Sequence, residues 1–457
     1  MPILPIDTGR YGTPEMLRIF EEENRLQRML DVEAALAWAQ AEVGLIPQAD
    51  AEVIMGKASV KYVKPSRVKE IEGIIQHDVM AVVRALAEAS GKSGGYVHLG
   101  ATSNDVNDTA TALQFKEALT LIQDKLIRLE GVLLEASRKY AKTIMVGRTH
   151  GQHALPITLG LKFAVWMMEV SRHLERLMEC RRRVLVGKMT GAVGTQAGMG
   201  ARGVEIQHLV MERLGLKPVE VSTQIIQRDR YGELICLFAL IASTLEKFAT
   251  EIRELQRPEI GELQEAFDVE SQVGSSTMPH KVNPIFSERV CGLAKTVRGL
   301  VIPALENIPT WHERDLTQSS SERIIIPTAF ILLDYMLALM VRILSTLRVN
   351  EERMRQNMEL TQGRFMSEAL MLALTRKGMD RQEAHELVRK LAMNSLVENK
   401  SFKEVLVKDP NVRRYMREEE VEDALNPENY LGTTLEQIER AVKTAESQMT
   451  RLSSSMP

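Results

Sequence analysis

The chain of 457 residues has little cysteine, three in all, and few aromatic side chains, which make up 5%. Cys180, Cys236 and Cys291 lie far apart within helical patterns. That excludes a disulfide scaffold and a cysteine-based metal site, and it fits a reducing, intracellular setting. An excess of one charge is missing too: 58 Lys and Arg stand against 61 Asp and Glu, a net charge of -3. Nothing global draws such a chain to nucleic acid or to an anionic membrane, so any basic site is local. The start, Met-Pro-Ile-Leu-Pro-Ile-Asp, has no basic stretch leading into an apolar run. No signal peptide is expected, and the expected location is cytoplasmic.

Long uninterrupted apolar runs are also scarce. Residues 234–245 are too few to cross a bilayer core of roughly 30 Å. Residues 324–341 are enough in number but are broken by Pro327 and Asp334. Helices apolar on nearly every side belong in the middle of a bundle or at an oligomer interface, and no membrane partner is expected.

What the chain does hold is Met, 24 of them, with Ala, Leu, Glu and Arg filling its periodic segments. This favours helix over sheet. Thr13-Pro14 reads as an N-cap with Pro at the first helical position. Residues 16–43 follow as one or two helices and 68–89 as another, carrying His77 and Asp78. The Gly- and Ser-rich stretch 90–96 closes this region. Leu113, Leu119, Ile122, Leu126, Leu129 and Leu133 keep the three and four spacing of an amphipathic helix over 107–141. A polar break at 146–153 precedes a second helix over 155–186, and a Gly-rich break at 187–203 precedes a short one ending near Leu214. Further long helices are expected over 231–256, 284–305 and 322–348, the last opened by a capping box, Ser319 to Glu322. Five long helices joined by loops too short for other elements imply an elongated bundle. Asn350 reads as a fresh N-cap. The expectation is an all-α fold of three helical domains, 1–102, 103–349 and 350–457, with the five-helix bundle in the centre.

Two motifs fail on context. Gly198-Met-Gly200-Ala-Arg-Gly203 matches a dinucleotide fingerprint without the preceding strand or the following acidic residue. Gly91-Lys92-Ser93 ends like a phosphate loop, but Leu86 stands where the first Gly is required. His150 and His153 lack a third metal ligand nearby. No metal and no cofactor are expected.

The stretch from Gly274 to Glu288, Gly-Ser-Ser-Thr-Met-Pro-His-Lys-Val-Asn-Pro-Ile-Phe-Ser-Glu, is too rich in chemistry for a connector. Gly274, Ser275 and Ser276 supply a sharply turning backbone with free N–H groups, Lys281 a point charge and Asn283 amide donors. Pro279 and Pro284 restrict the shapes it adopts. Three further polar clusters interrupt the helices: His77-Asp78, the segment from His98 through Thr102-Ser103 to Asp105, and Arg148-Thr149-His150-Gly-Gln152.

The string Ser-Ser-x-Met-Pro-x-Lys-x-Asn-Pro resembles the signature of the fumarase/aspartase superfamily. Thr102-Ser103 and Thr149-His150-Gly-Gln152 fall in that superfamily's order. Ser222-Thr-Gln224-Ile-Ile-Gln-Arg228-Asp-Arg230, the stretch from Trp311 to Arg323, Arg10-Tyr11 and His77-Asp78 are similar to the adenylosuccinate lyase family within it. The resemblance implies cleavage of adenylosuccinate into AMP and fumarate, and of the related ribotide SAICAR into AICAR, both small-molecule substrates. It implies Ser275 as general base, His150 as general acid and Glu288 as the carboxylate that orients and charges His150. Ser275 as a plain donor to a substrate carboxylate is the alternative. Thr102, Ser103, Gln224, Lys281 and Asn283 would hold the succinyl carboxylates. Arg10, Tyr11, Arg314, Ser319 and Arg323 would hold the phosphate and its sugar. His77, beside Asp78, would bond the substrate or assist proton transfer, and His98 would bond the substrate or simply brace the turn before Thr102. The resemblance further implies a homotetramer with sites assembled from several subunits. The rival readings are a sister lyase acting on argininosuccinate or aspartate, and a helical structural protein without activity.

Overall fold

The computed structural model describes residues 4–454 and is all-α, with three two-stranded sheets among its helices. Thr13 accepts the Met16 N–H and Pro14 takes the first position of α1 (Pro14–Phe20), as the sequence suggests. Helices α2 (Glu22–Glu42), α3 (Gln48–Lys57), α4 (Pro65–Ile75) and α5 (Asp78–Ser90) follow. The single helix expected over 68–89 is in fact two. Gln76 closes α4 with a left-handed φ of 53°, and His77 caps α5 by accepting the Met80 N–H. Asp78 in the first turn, where the helix dipole favours an acid, is the start signal the periodicity hid.

Helix α6 (Ser103–Lys139) begins ahead of residue 107 because the Asp105 carboxylate reaches back to the Thr102 N–H at 2.9 Å. The polar break at 146–153 is not a bare loop. It lies within a hairpin of β1 (Ile144–Thr149) and β2 (Gln152–Thr158), turning at His150-Gly151. Both turn residues have positive φ, 54° and 72°, which suits a two-residue hairpin turn. Helix α7 (Leu159–Val184) leads to β3 (Val186–Gly187), α8 (Gly203–Leu214) and β4 (Lys217–Pro218), which pairs in parallel with β3. Then come α9 (Asp229–Gln256), β5 (Leu263–Gln264), α10 (Ile285–Gly299), α11 (Val301–Glu306), α12 (Thr317–Ser345) and β6 (Arg348–Val349), antiparallel to β5. The helix expected over 284–305 breaks after Gly299, where Pro303 has no N–H to continue the ladder. The capping box expected at Ser319 to Glu322 lies inside α12; Asp315 receives the Thr317 N–H instead. Asn350 caps α13 (Glu351–Glu359) as expected. Helices α14 (Ser367–Arg376), α15 (Arg381–Val397), α16 (Phe402–Lys408), α17 (Pro410–Tyr415), α18 (Glu418–Leu425) and α19 (Thr434–Ser454) complete the chain.

The residues sort into two compact units: one of the residues up to Leu126 with His173–Glu246 and Val290–Leu339, the other of Ile127–Arg172, Lys247–Arg289 and the residues from Met340 on. Every boundary falls inside a long helix, α6, α7, α9, α10 or α12, so these five helices contribute to both. In the first unit α2 to α5 pack with the start of α6 and with α8 around Leu30, Leu36, Ile54, Leu86 and Val210. Four phenylalanines meet there: Phe20, Phe115 and Phe238 surround Phe330 with ring centroids 4.8 to 5.4 Å away. In the second unit Trp166 stacks on Phe248 at 4.6 Å, and α14 to α18 close around Leu370, Leu374, Phe402 and Leu406. Helix α12 is long and apolar enough to cross a membrane, and 67% of its most apolar window is buried.

Candidate active site

In the first unit a cavity of about 390 Å³ is walled by Arg25, Arg228, Arg314, Ser319, Glu322 and Arg323. These four guanidinium groups are not equivalent. Arg228, 4% exposed, forks onto Asp108 at 2.9 and 3.0 Å and onto Glu322 at 2.7 Å, so two carboxylates neutralise it. Burial raises the Glu322 pKa even beside Arg228. Arg323 pairs with Asp78, and Arg25 stands 4.0 Å from the same carboxylate. Arg314 forms no ion pair among the described residues; it donates to Gln224 Oε1 at 2.9 Å, and Gln224 in turn donates to the Ala192 carbonyl. Arg25, Arg314 and Arg323 thus bring three guanidinium groups to a cavity that Glu22, Asp108 and Glu322 also line. Burial, and then the charge of Arg323, hold Arg25 below its usual pKa. An anion in this cavity would relieve both.

Thr102 and Ser103 sit half-buried at the start of α6, fixed from below by Asp105. That carboxylate, fully buried, also accepts the Thr190 and Gly191 N–H groups and pairs with fully buried Lys188. His98, with a left-handed φ of 65°, bonds through Nδ1 to buried Glu33 at 2.7 Å. Burial lowers its pKa, but the charge and hydrogen bond of Glu33 outweigh that and leave it raised. His77 is exposed at the head of α5. The exposed Arg10 stands over the Tyr11 ring at 5.8 Å.

In the second unit His150 is the exposed first residue of the hairpin turn. A left-handed conformation costs a residue with a side chain about 1 kcal/mol, so the surroundings must hold the turn. The strand pairing is irregular between Val146 and Arg148. Gly147 lies there with its α-carbon so close to the Leu155 carbonyl that a Cβ would sit 2.7 Å from it. Such bulges re-aim side chains. Arg148 forks onto fully buried Glu262 at 2.7 and 2.9 Å, and burial together with Arg148 lowers the pKa of His153, its cross-strand neighbour.

The signature loop also belongs to this unit. Ser275 Oγ accepts N–H bonds from Met278 at 3.1 Å and Thr277 at 3.3 Å. Gly274 is required where it stands, because a Cβ there would meet the Lys281 carbonyl at 2.0 Å. Asn283 donates to the Gly274 carbonyl at 3.0 Å and closes the loop. Lys281 and Glu288 are exposed, and no hydrogen bond or ion pair joins Glu288 to His150 among the described residues. The structure therefore joins Asp78 with Arg323, Gln224 with Arg314, and Ser319 with both arginines around one cavity. The sequence reading missed Arg25, Asp108 and Glu322 as cavity residues. Asp105 and Asp108, two acids at the head of α6, were the available signal.

A family model described as Lyase matches residues 9–299, and one described as Adenylosuccinate lyase C-terminus matches 363–441. The chain is 54% identical to the adenylosuccinate lyase of Pyrococcus abyssi, over 98% of each chain. It is 51% identical to that of Methanocaldococcus jannaschii, over 97% of this chain and 96% of the other. Among solved structures it resembles a fumarate lyase from Mesorhizobium sp. BNC1, with TM-score 0.88 and 31% identity over 95% of this chain and 98% of that one. It also resembles the 3-carboxy-cis,cis-muconate lactonizing enzyme of Pseudomonas putida, with TM-score 0.89 and 33% identity over 97% and 100%.

Proposed function

The chain belongs to the adenylosuccinate lyases, a family of fumarate-releasing lyases, and on that premise we propose how its residues carry the reaction. The reaction is β-elimination: adenylosuccinate gives AMP and fumarate, and SAICAR gives AICAR and fumarate. Ser275 removes the proton from the carbon next to a succinyl carboxylate. The two N–H groups aimed at Ser275 Oγ favour its anionic form, as donors in an oxyanion hole do, and answer how a hydroxyl becomes a base. The electron pair left on carbon delocalises into the carboxylate, then expels the amine nitrogen as the C–N bond breaks. His150 protonates that nitrogen, and Glu288 supports its charged form.

Thr102, Ser103, Gln224, Lys281 and Asn283 hold the succinyl carboxylates, and Arg10, Tyr11, Arg314, Ser319 and Arg323 hold the phosphate and sugar. The observation that carries the substrate reading is the arginine-walled cavity, because a substrate without phosphate has little use for it. We place the site in a cytoplasmic homotetramer of three-domain chains, with each site drawn from several subunits.

The test is fumarate release, followed by absorbance, from adenylosuccinate and from argininosuccinate. Turnover of adenylosuccinate is expected, and turnover of argininosuccinate alone would end the assignment. Replacing His150→Gln should abolish turnover without changing assembly; unchanged activity would remove its role as acid.

A further inference from the structure

Arg228 is buried where three parts of the first unit meet at the cavity wall: α6, α12 and the segment that leads into α9. Its five N–H donors are all used. Nη1 and Nη2 fork onto Asp108 of α6 at 3.0 and 2.9 Å, and Nε and Nη2 reach Glu322 of α12 at 2.7 and 3.2 Å. Nη1 also closes onto the Ile226 carbonyl of its own segment at 2.6 Å. Asp108 accepts the Ile226 N–H at 2.8 Å, so backbone and side chain together pin this segment to α6. Gln224, in the same segment, accepts a bond from Arg314 at 2.9 Å. On α12, Glu322 stands between Ser319 and Arg323, and residues three and four apart on a helix share a face. Both Glu322 oxygens are held by Arg228, which anchors that face.

We propose that Arg228, fixed by Asp108 and Glu322, is a positioning residue for the phosphate grip: it sets the first turns of α12, with Ser319 and Arg323, against α6, and its segment sets Arg314 through Gln224. This role rests on the assignment of Ser319, Arg323 and Arg314 to the phosphate above. Charge alone argues for the opposite effect. Glu322 and Asp108 are carboxylates lining a cavity meant for an anion, and by simple attraction and repulsion the phosphate would bind more tightly without Glu322. What the two carboxylates add is geometry. A planar guanidinium forked on two sides is fixed in place, and charge-assisted bonds to phosphate need their arginines and hydroxyl held in register. None of the three belongs to the groups given the proton transfers, so their loss should reach KM and leave kcat nearly intact.

The experiment uses the full-length enzyme and compares wild type with Glu322→Gln, which keeps the volume and removes the charge. Calorimetric titration with AMP and with adenosine is read beside steady-state kinetics with adenylosuccinate. AMP binding is expected to weaken about tenfold while adenosine stays within about twofold of wild type, with KM raised about tenfold and kcat within about threefold. Tighter AMP binding, the sign that charge alone requires, would overturn the positioning role. So would unchanged AMP binding, or equal losses with AMP and adenosine, which a simply structural role would give together with a lowered melting temperature. Should Glu322→Gln fail to fold, Arg228→Lys keeps the buried charge and loses the fork; undiminished AMP affinity in that variant overturns the role equally. Wild type is titrated first: AMP bound no tighter than adenosine overturns the phosphate reading and this inference with it, whereas a wild-type preference for AMP that Glu322→Gln retains in full overturns the positioning role alone.

Discussion

Replacing Asp105→Asn breaks a fully buried ion pair in the first unit. Asp105 and Lys188 are both fully buried and paired, and the carboxylate accepts the Thr102 N–H at 2.9 Å, the Thr190 N–H at 2.9 Å and the Gly191 N–H at 3.1 Å. The amide keeps one acceptor oxygen and turns an NH2 toward groups that themselves donate. Lys188 is then a buried charge without a counter-charge, which costs about 3–5 kcal/mol. Each N–H left without a partner adds about 1 kcal/mol. Lys188→Met is milder, because the carboxylate left behind still receives three N–H bonds. Asp105→Asn with Lys188→Met should recover part of the loss, since the stranded charge is gone. Urea unfolding at fixed protein concentration measures this, and the single Asp105→Asn variant should melt lower by on the order of 10 °C. A cost for Asp105→Asn below about 1 kcal/mol, or a Lys188→Met variant less stable than Asp105→Asn, would refute the reasoning. Since Asp105 fixes the Thr102 turn, folded Lys188→Met enzyme should also show a raised KM.

The His98–Glu33 pair carries a pH signature. The folded-state pKa of His98 lies above its ordinary 6.5, so its stabilisation is fully present below that value and is lost as pH climbs through the folded one. The melting temperature of wild type minus that of Glu33→Gln should therefore shrink as pH rises above about 6.5, and a constant difference would contradict the assignment. Arg25 should contact the phosphate alongside Arg323. Arg25→Gln is expected to weaken AMP binding by about tenfold and leave adenosine unchanged, and equal effects on both ligands would show that the guanidinium acts only through the fold.

The parts of the fold that were legible are those that local chemistry settles. Thr13 before Pro14 and Asn350 before Glu351 bond to backbone N–H groups three residues on, and a cap needs nothing beyond its own turn. The signature loop was legible for a related reason: its Gly, hydroxyls, Lys and Asn make a donor-rich surface in any fold. The hairpin was not. Its strands place Arg148 opposite His153 and Thr149 opposite Gln152, polar on polar, so alternation gives no sign of pairing. What fixes it is Glu262, 114 residues from Arg148, and no spacing rule joins the two.

Separation along the chain misleads in both directions at the site. Gln224 and Arg314 are 90 residues apart and share a hydrogen bond, whereas His150 and His153, a metal-like pair on paper, sit in a turn and a strand where Arg148 opposes a proton on the second ring. A histidine whose neighbour is a guanidinium already committed to a buried carboxylate is a poor place for a cation of either kind. The same neighbour explains why the turn residue is the one left exposed. Arg148 is held inward by Glu262, so the next outward side chain is Thr149 and the one the turn presents to solvent is His150. That His150 is left exposed thus follows from where the arginine two residues before it is anchored, a fact that only the folded chain contains.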